Sequence, residues 1–251
     1  MQVVEQLLER GEIAVLVTRL TGSQNIGAKL LVQENGPVTG SLGDAELESI
    51  VVDQAKSFLA SREETRLFNL SSFDTSLLFE RLQPAPRLVV CGAGHVGASL
   101  AKLAAFAGYQ TTLLDDRAEF LKRDRFPERE IELLVADDWG SAVRDAIGNG
   151  HGVSVAVVTR GHNEDELCMH AVVRANPDYV GLIGSKRRTS IVIDRLREAG
   201  VPDDQLKKIH APIGLDIGAV SPEEVALSIL SEIVAERRGA HGASLSSWRR
   251  E

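Results

Sequence analysis

The chain has 251 residues, 43% of them apolar and 25% charged, with a formal net charge of −8. This length suits one large or two small domains, and the composition is that of a globular protein outside the membrane. The acidic balance argues against non-specific binding to nucleic acid or an anionic membrane, so an anionic ligand must meet a local basic site. Cys91 and Cys168 form neither a disulfide framework nor a ligand cluster, and reduced, cytoplasmic thiols are the simplest reading. Met1-Gln2-Val3-Val4-Glu5 has no basic segment leading into an apolar core. No apolar run reaches the ~18 residues of a membrane span, so neither a signal peptide nor a span is expected.

In chain order, 13–18 and 29–33 are apolar, β-rich runs, and Gly36-Pro37 supplies turn chemistry before a short strand at 38–39. Leu47, Ile50, Val51, Ala55 and Phe58 recur at helical spacing and predict a helix over 44–60. Further strands are expected at 67–70 and 77–82. Residues 1–82 thus read as a small α+β domain with an antiparallel sheet. Gln83-Pro84-Ala85-Pro86 reads as a stiff linker, because two prolines in three positions disfavour both helix and ladder.

From residue 87 strands and helices alternate. Strands are expected at 87–91, 110–114, 131–136, 153–159 and 179–183. Helices are expected at 96–107, 139–147, 164–175, 186–199 and 222–238. Short Val/Ile/Leu-rich strands between helices imply a parallel, doubly wound sheet covered on both faces. Ser221, Pro222 and Glu224 give the last helix a capping box with proline at its first position. The polar tail 239–251, with Trp248-Arg249-Arg250, is expected to be disordered.

The first of these strands runs into Cys91-Gly92-Ala93-Gly94-His95-Val96-Gly97, a Gly-x-Gly-x-x-Gly opening a helix. Gly92 permits the tight turn, Gly94 lets a phosphate approach backbone, and Gly97 lets helix and sheet pack closely. The helix start offers unpaired N–H groups and a positive dipole end to an anion. This context makes residues 87–238 a Rossmann-like domain.

In such a sheet, ligands bind beyond the carboxyl ends of the strands. Asp115 and Asp116 end the second strand and suit ribose-like hydroxyls, or else serve as strand-end turn acids. Asp137 and Asp138 follow the third strand. Arg160 and His162 follow the fourth. Gly184, Ser185, Lys186, Arg187 and Arg188 follow the fifth, where a helix start with three cations suits a second phosphate clamp; the bland reading is a solvated helix face. His95 and His162 are loop residues suited to a phosphate, a polar ring or proton transfer, or are structural histidines. The glycine-rich loop 210–218 holds Gly214. Cys91 is a small buried residue or a soft contact to a sulfur- or metal-bearing ligand. No His/Cys/carboxylate spacing makes a metal site, and no catalytic constellation is identified.

Several segments resemble one family. They are the glycine loop 91–97, Asp115-Asp116-Arg117, Arg125-Phe126-Pro127, Thr159-Arg160-Gly161-His162, residues 179–185, residues 210–218 and Ser221-Pro222-Glu223-Glu224. Together they are similar to the xanthine dehydrogenase accessory factors of the XdhC/CoxI type. Thr21-Gly22-Ser23, Gly27-Ala28-Lys29 and Gly40-Ser41-Leu42-Gly43 resemble that family's first domain. Where many members continue the turn with glycines, a cysteine and a glutamate, this chain has Asp44-Ala45-Glu46-Leu47-Glu48. No thiol role falls there, and Glu46 is the nearest equivalent of the acid.

The resemblance implies a carrier of the molybdenum–pterin cofactor rather than a metabolic enzyme. Such a carrier binds the molybdopterin as cargo, protects it during sulfuration and delivers it to a xanthine dehydrogenase-like molybdenum hydroxylase. A cysteine desulfurase is a further expected partner, and a homodimer a possible assembly. The alternative is an NAD(P)-dependent oxidoreductase using the same loop, since both ligands present phosphates to a helix end.

Overall fold

Pro84 closes the first of two units into which the chain divides, Met1–Pro84 and Ala85–Glu251. This computed structural model describes residues 2–61, 63–148, 150 and 152–246. Trp248, Arg249 and Arg250 of the expected disordered tail lie outside the described residues; residues 239–246 form neither helix nor strand.

The first unit comprises α1 (Gln2–Glu9), β1 (Ala14–Arg19), β2 (Lys29–Gln33), β3 (Val38–Ser41), α2 (Ala45–Leu59), β4 (Thr65–Leu70) and β5 (Thr75–Leu82). Its sheet runs β3-β2-β1-β5-β4, and each neighbouring pair is antiparallel. Strand alternation divides its residues between two faces. Val15, Val17, Leu30, Val32, Leu77 and Phe79 pack with Leu47, Val51, Ala55 and Phe58 of α2. Leu31 and Ala14 meet Leu7 of α1. Asp44 starts α2 by accepting the N–H groups of Glu46 and Leu47, each at 3.0 Å, which satisfies two of the open donors of its first turn.

Helix α1 has no counterpart among the elements expected from the sequence. It is eight residues long, and Leu7 anchors it by packing with Ala14 and Leu31. Glu46 is exposed, and Glu48 holds the adjoining turn instead, accepting from Ser41 Oγ and from the Leu42 N–H, both at 2.7 Å.

The second unit comprises β6 (Arg87–Cys91), α3 (His95–Phe106), β7 (Gln110–Asp115), β8 (Ile131–Val135), α4 (Trp139–Ile147), β9 (Val153–Val157), α5 (His162–Ala175), β10 (Tyr179–Leu182), α6 (Lys186–Glu198), α7 (Asp203–Leu206), β11 (Ile209–His210) and α8 (Pro222–Arg237). The strands lie in the order β11-β10-β9-β6-β7-β8, every pair parallel. The chain builds outward from β6 to β8, then crosses to β9 and builds the other way. The strand order therefore reverses between β6 and β9, the place where doubly wound sheets open a ligand crevice.

Both faces are covered. Leu88, Val90 and Ala156 pack with α3 and α8. Val89, Cys91, Val155 and Val157 pack with α4, α5 and α6. Cover on both faces buries every residue of β9, four of the five apolar and Ser154 the exception. The capping box of α8 is present: Ser221 Oγ accepts the Glu224 N–H at 3.2 Å and Glu224 accepts the Ser221 N–H at 2.9 Å.

Two sequence expectations are corrected here. Residues 209–210 form a sixth strand at the head of the loop 210–218, and α7 precedes it. His95 and His162 are the first residues of α3 and α5 rather than loop residues, because Gly94 and Gly161 take the extended cap positions. Among the described residues, no helix is long and apolar enough to cross a membrane.

Candidate functional site

The crevice is built by the loops that follow β7, β6 and β9. Cys91 pairs with Leu114 on one side and Val157 on the other, so the three strands end level. Gly92 then turns with φ +114°, and a Cβ there would stand 2.6 Å from Val158 O. A Cβ on Gly97 would stand 1.8 Å from Gly92 O, so the first turn of α3 can close on the loop only with glycine. Gly94 differs. Its φ of −64° is ordinary and no atom lies within 4 Å of its Cβ position. The backbone at Gly94 is thus unobstructed, next to the N-terminus of α3, where helix N–H groups favour an anion.

Asp115 is buried and its carboxylate is fully engaged within the protein. It accepts the Ala93 N–H at 2.7 Å, the Arg117 N–H at 3.0 Å, and Arg117 Nε and Nη2 at 2.8 and 2.9 Å. Burial acts to raise its pKa, but the Arg117 guanidinium and the two backbone donors outweigh it and hold the carboxyl below the usual range. Asp115 therefore positions the glycine loop, and the hydroxyl-accepting capacity expected here passes to exposed Asp116. Arg117, to which the sequence alone assigned no site role, also lies 3.9 Å over the Phe120 ring. Its place directly after the acidic pair was the available signal.

Asp116 pairs with Arg160 at 2.9 Å, and Arg160 also lies 3.4 Å from Glu164. His95 and His162 are exposed at the starts of their helices. These residues gather around the switch point between β6 and β9.

The cations after β10 divide. Lys186 and Arg187 are exposed. Arg188 turns inward, donating from Nε to Asp165 Oδ2 at 3.0 Å and also from Nη2. Asp165 has no exposure and accepts Thr159 Oγ1 at 2.6 Å. Burial raises its pKa despite Thr159 and Arg188. The expected three-cation clamp thus keeps two outward cations, and the third ties α6 to α5. Ser185 caps α6, accepting the Arg188 N–H at 3.2 Å, and Gly184 lies in the short loop between β10 and α6.

Gly214 stands apart. Its N–H donates to Glu232 at 2.8 Å, and the same oxygen accepts Tyr179 OH at 2.5 Å. His210 stacks on Tyr179 with ring centroids 4.6 Å apart and lies 3.5 Å from Glu232 and 3.6 Å from Glu236. Glu232 leads in raising the His210 pKa, against burial. This network is not legible in the sequence, because its members come from three separate elements.

Cys91 and Cys168 are both fully buried and lie in the same core cluster. Burial, with Cys91 alongside, pushes the Cys168 thiol far up. Among the described residues no three His, Cys, Asp or Glu side chains gather as a metal ligand set.

A six-stranded parallel sheet of this order, with a glycine loop at its switch point, defines a Rossmann-type domain. Residues 88–233 match the XdhC Rossmann domain, residues 7–70 match the XdhC and CoxI family, and the chain belongs to that family.

Among curated proteins it is 30% identical over 228 residues to the uncharacterized protein YqeB of Escherichia coli, covering 86% of this chain and 41% of that one. It is 29% identical over 237 residues to a Bacillus subtilis protein described as a probable xanthine dehydrogenase subunit, covering 94% and 64%. It is 25% identical over 185 residues to the molybdenum cofactor insertion chaperone PaoD of Escherichia coli, covering 73% and 49%. The chain therefore spans less than two thirds of the length of each of these relatives. A crystal structure described as a xanthine dehydrogenase from Bacillus halodurans shares the fold, with a TM-score of 0.56, 20% identity and 98% of each chain covered.

Proposed function

We propose that this protein is a maturation factor that carries a molybdopterin-type molybdenum cofactor as cargo and hands it to a xanthine dehydrogenase-like molybdenum hydroxylase. The observation that carries the reading is the open backbone at Gly94, set beside the α3 N-terminus and within a chain of the XdhC and CoxI family. The similarity to an insertion chaperone and to a probable xanthine dehydrogenase component supports it.

A pterin cofactor carries a phosphate, or a pyrophosphate and ribose in its dinucleotide form. Gly92, Gly94 and Gly97 shape the backbone that receives the phosphate, and Lys186 and Arg187 supply outward cations in an acidic protein. His95 and His162, at two helix starts on that edge, contact the polar ring of the cargo. The protein thus grips the organic part of the cofactor and leaves the metal end for sulfuration by a cysteine desulfurase in the cytoplasm.

The same edge suits a nicotinamide dinucleotide, and one experiment separates the two. The protein is produced together with a molybdenum cofactor pathway, its optical spectrum is recorded, and the oxidised fluorescent pterin is assayed after denaturation; NAD(P)H is titrated in parallel. Cargo binding predicts stoichiometric pterin and raised activity of a co-expressed hydroxylase. NAD(P)H-dependent reduction of a small carbonyl compound, abolished by His162→Ala, would overturn the carrier in favour of an oxidoreductase.

A further inference from the structure

Strands β7 and β9 flank β6, and the loops after both touch the glycine loop. Asp115 accepts the Ala93 N–H, and Val158 O lies against Gly92. Asp116 and Arg160 are the residues one and two positions further out, on opposite sides. Strands two places apart in a sheet are ~9.5 Å apart. Yet Arg160 Nη2 reaches Asp116 Oδ2 at 2.9 Å. The pair joins the two outer loops, so it spans the glycine loop between them.

We propose that the Arg160–Asp116 ion pair is a latch over the phosphate loop. It is released by a ligand that brings an anion to Arg160 and a hydroxyl donor to Asp116, a combination met in a nucleoside diphosphate. This rests on reading the glycine loop as a phosphate site.

The side chains are 48% and 31% exposed, and pairs of that kind hold weakly, so a ligand contact is enough to displace it. Neither group is stranded when the latch opens. Arg160 keeps Glu164 at 3.4 Å, and Asp116 keeps Arg117 at 3.6 Å. A bare anion competes with Asp116 for Arg160 and gains nothing from the freed carboxylate. A nucleotide gains, because its ribose hydroxyls donate to that carboxylate. Asp116 therefore opposes one ligand and assists the other, which selects the dinucleotide form of a pterin cargo over the mononucleotide form.

The test measures affinities for pyrophosphate and for ADP by calorimetry in the parent, Asp116→Asn, Arg160→Ala and the double variant, with thermal unfolding to confirm equal folding. Asp116→Asn is expected to tighten pyrophosphate about two- to five-fold and to weaken ADP about five-fold. The gain for pyrophosphate shrinks when Arg160 is also removed, since there is then no latch to open. A shift of both ligands in one direction, or an undiminished gain without Arg160, would overturn the latch and leave only a local charge effect. If both ligands bind and neither variant changes their affinity, the phosphate site stands and the latch falls. If the parent binds neither ligand, the phosphate-site reading fails and the latch fails with it.

Discussion

Asp115 accepts the Ala93 N–H at 2.7 Å, so a buried carboxylate at the end of one strand fixes the glycine loop at the end of its neighbour. Arg117 holds the same carboxylate through two further bonds from its side chain.

Asp115→Ala leaves the Ala93 N–H without its acceptor and frees the loop. Hydrogen bonds to charged groups contribute about 1.5–3 kcal/mol each, so a loss of about 2–3 kcal/mol is expected on urea unfolding, together with weaker phosphate binding. Asp116→Ala should stay within about 0.5 kcal/mol of the parent. The carboxyl is held below its ordinary value of 3.8, so its contribution is present above that pH and is lost as pH falls through the lower folded value. Equal stability of the two variants would contradict the assignment of Asp115 as the positioning residue.

Two glycines three residues apart should behave in opposite ways. Gly94→Val places a branched side chain in open space, so the variant folds and loses phosphate affinity. Gly97→Ala drives a methyl group to 1.8 Å from Gly92 O, so it damages folding first. Circular dichroism and calorimetry on both variants give the comparison. Undiminished affinity in folded Gly94→Val would remove the phosphate assignment.

Arg188→Ala strands Asp165, which has no exposure. An unpaired buried charge typically destabilises by about 3–5 kcal/mol. The expected signature is a large drop in unfolding free energy, against changes within about 0.5 kcal/mol for Lys186→Ala and Arg187→Ala, whose effect appears instead in salt-dependent anion binding. If all three alanine variants were equally stable, the inward role of Arg188 would be wrong.

His210 titrates above its ordinary value of 6.5 because Glu232, and with it Glu236, favours the charged ring. Protonation therefore stabilises the fold fully below pH 6.5, and that contribution is lost as pH rises through the higher folded value. His210→Asn should flatten the stability profile over that window. A parent profile rising with pH there would reverse the sign and refute the coupling.

Much of this architecture is legible in the sequence. Strands covered on both faces carry short apolar runs such as 88–91 in β6 and 155–157 in β9, so they announce themselves, and helices between them fix a parallel sheet. The glycine loop is legible because each glycine answers a local steric demand. What escapes is set from outside the segment. Helix α1 has only eight residues and gains its stability from Leu7 meeting Leu31. Strand β11 has two residues and exists because β10 pairs with it. Three successive cations look alike on paper, but Asp165, on another helix, decides that Arg188 turns inward. The same holds for Asp115 and Asp116, where one carboxylate is enclosed by Ala93 and Arg117 while its neighbour faces out.

The two buried thiols confer a property on the intact chain that neither fold nor ligand requires. Both belong to the second unit, and the first unit contains no cysteine. A thiol with no exposure reacts with an alkylating reagent only while its surroundings are open. Labelling of the unaltered protein therefore clocks the separation of α5 from the sheet and is blind to events in the first unit. Cargo held at the glycine loop, one residue beyond Cys91, should slow that clock by mass action, which makes the native cysteines a binding assay that needs no dye, tag or partner enzyme.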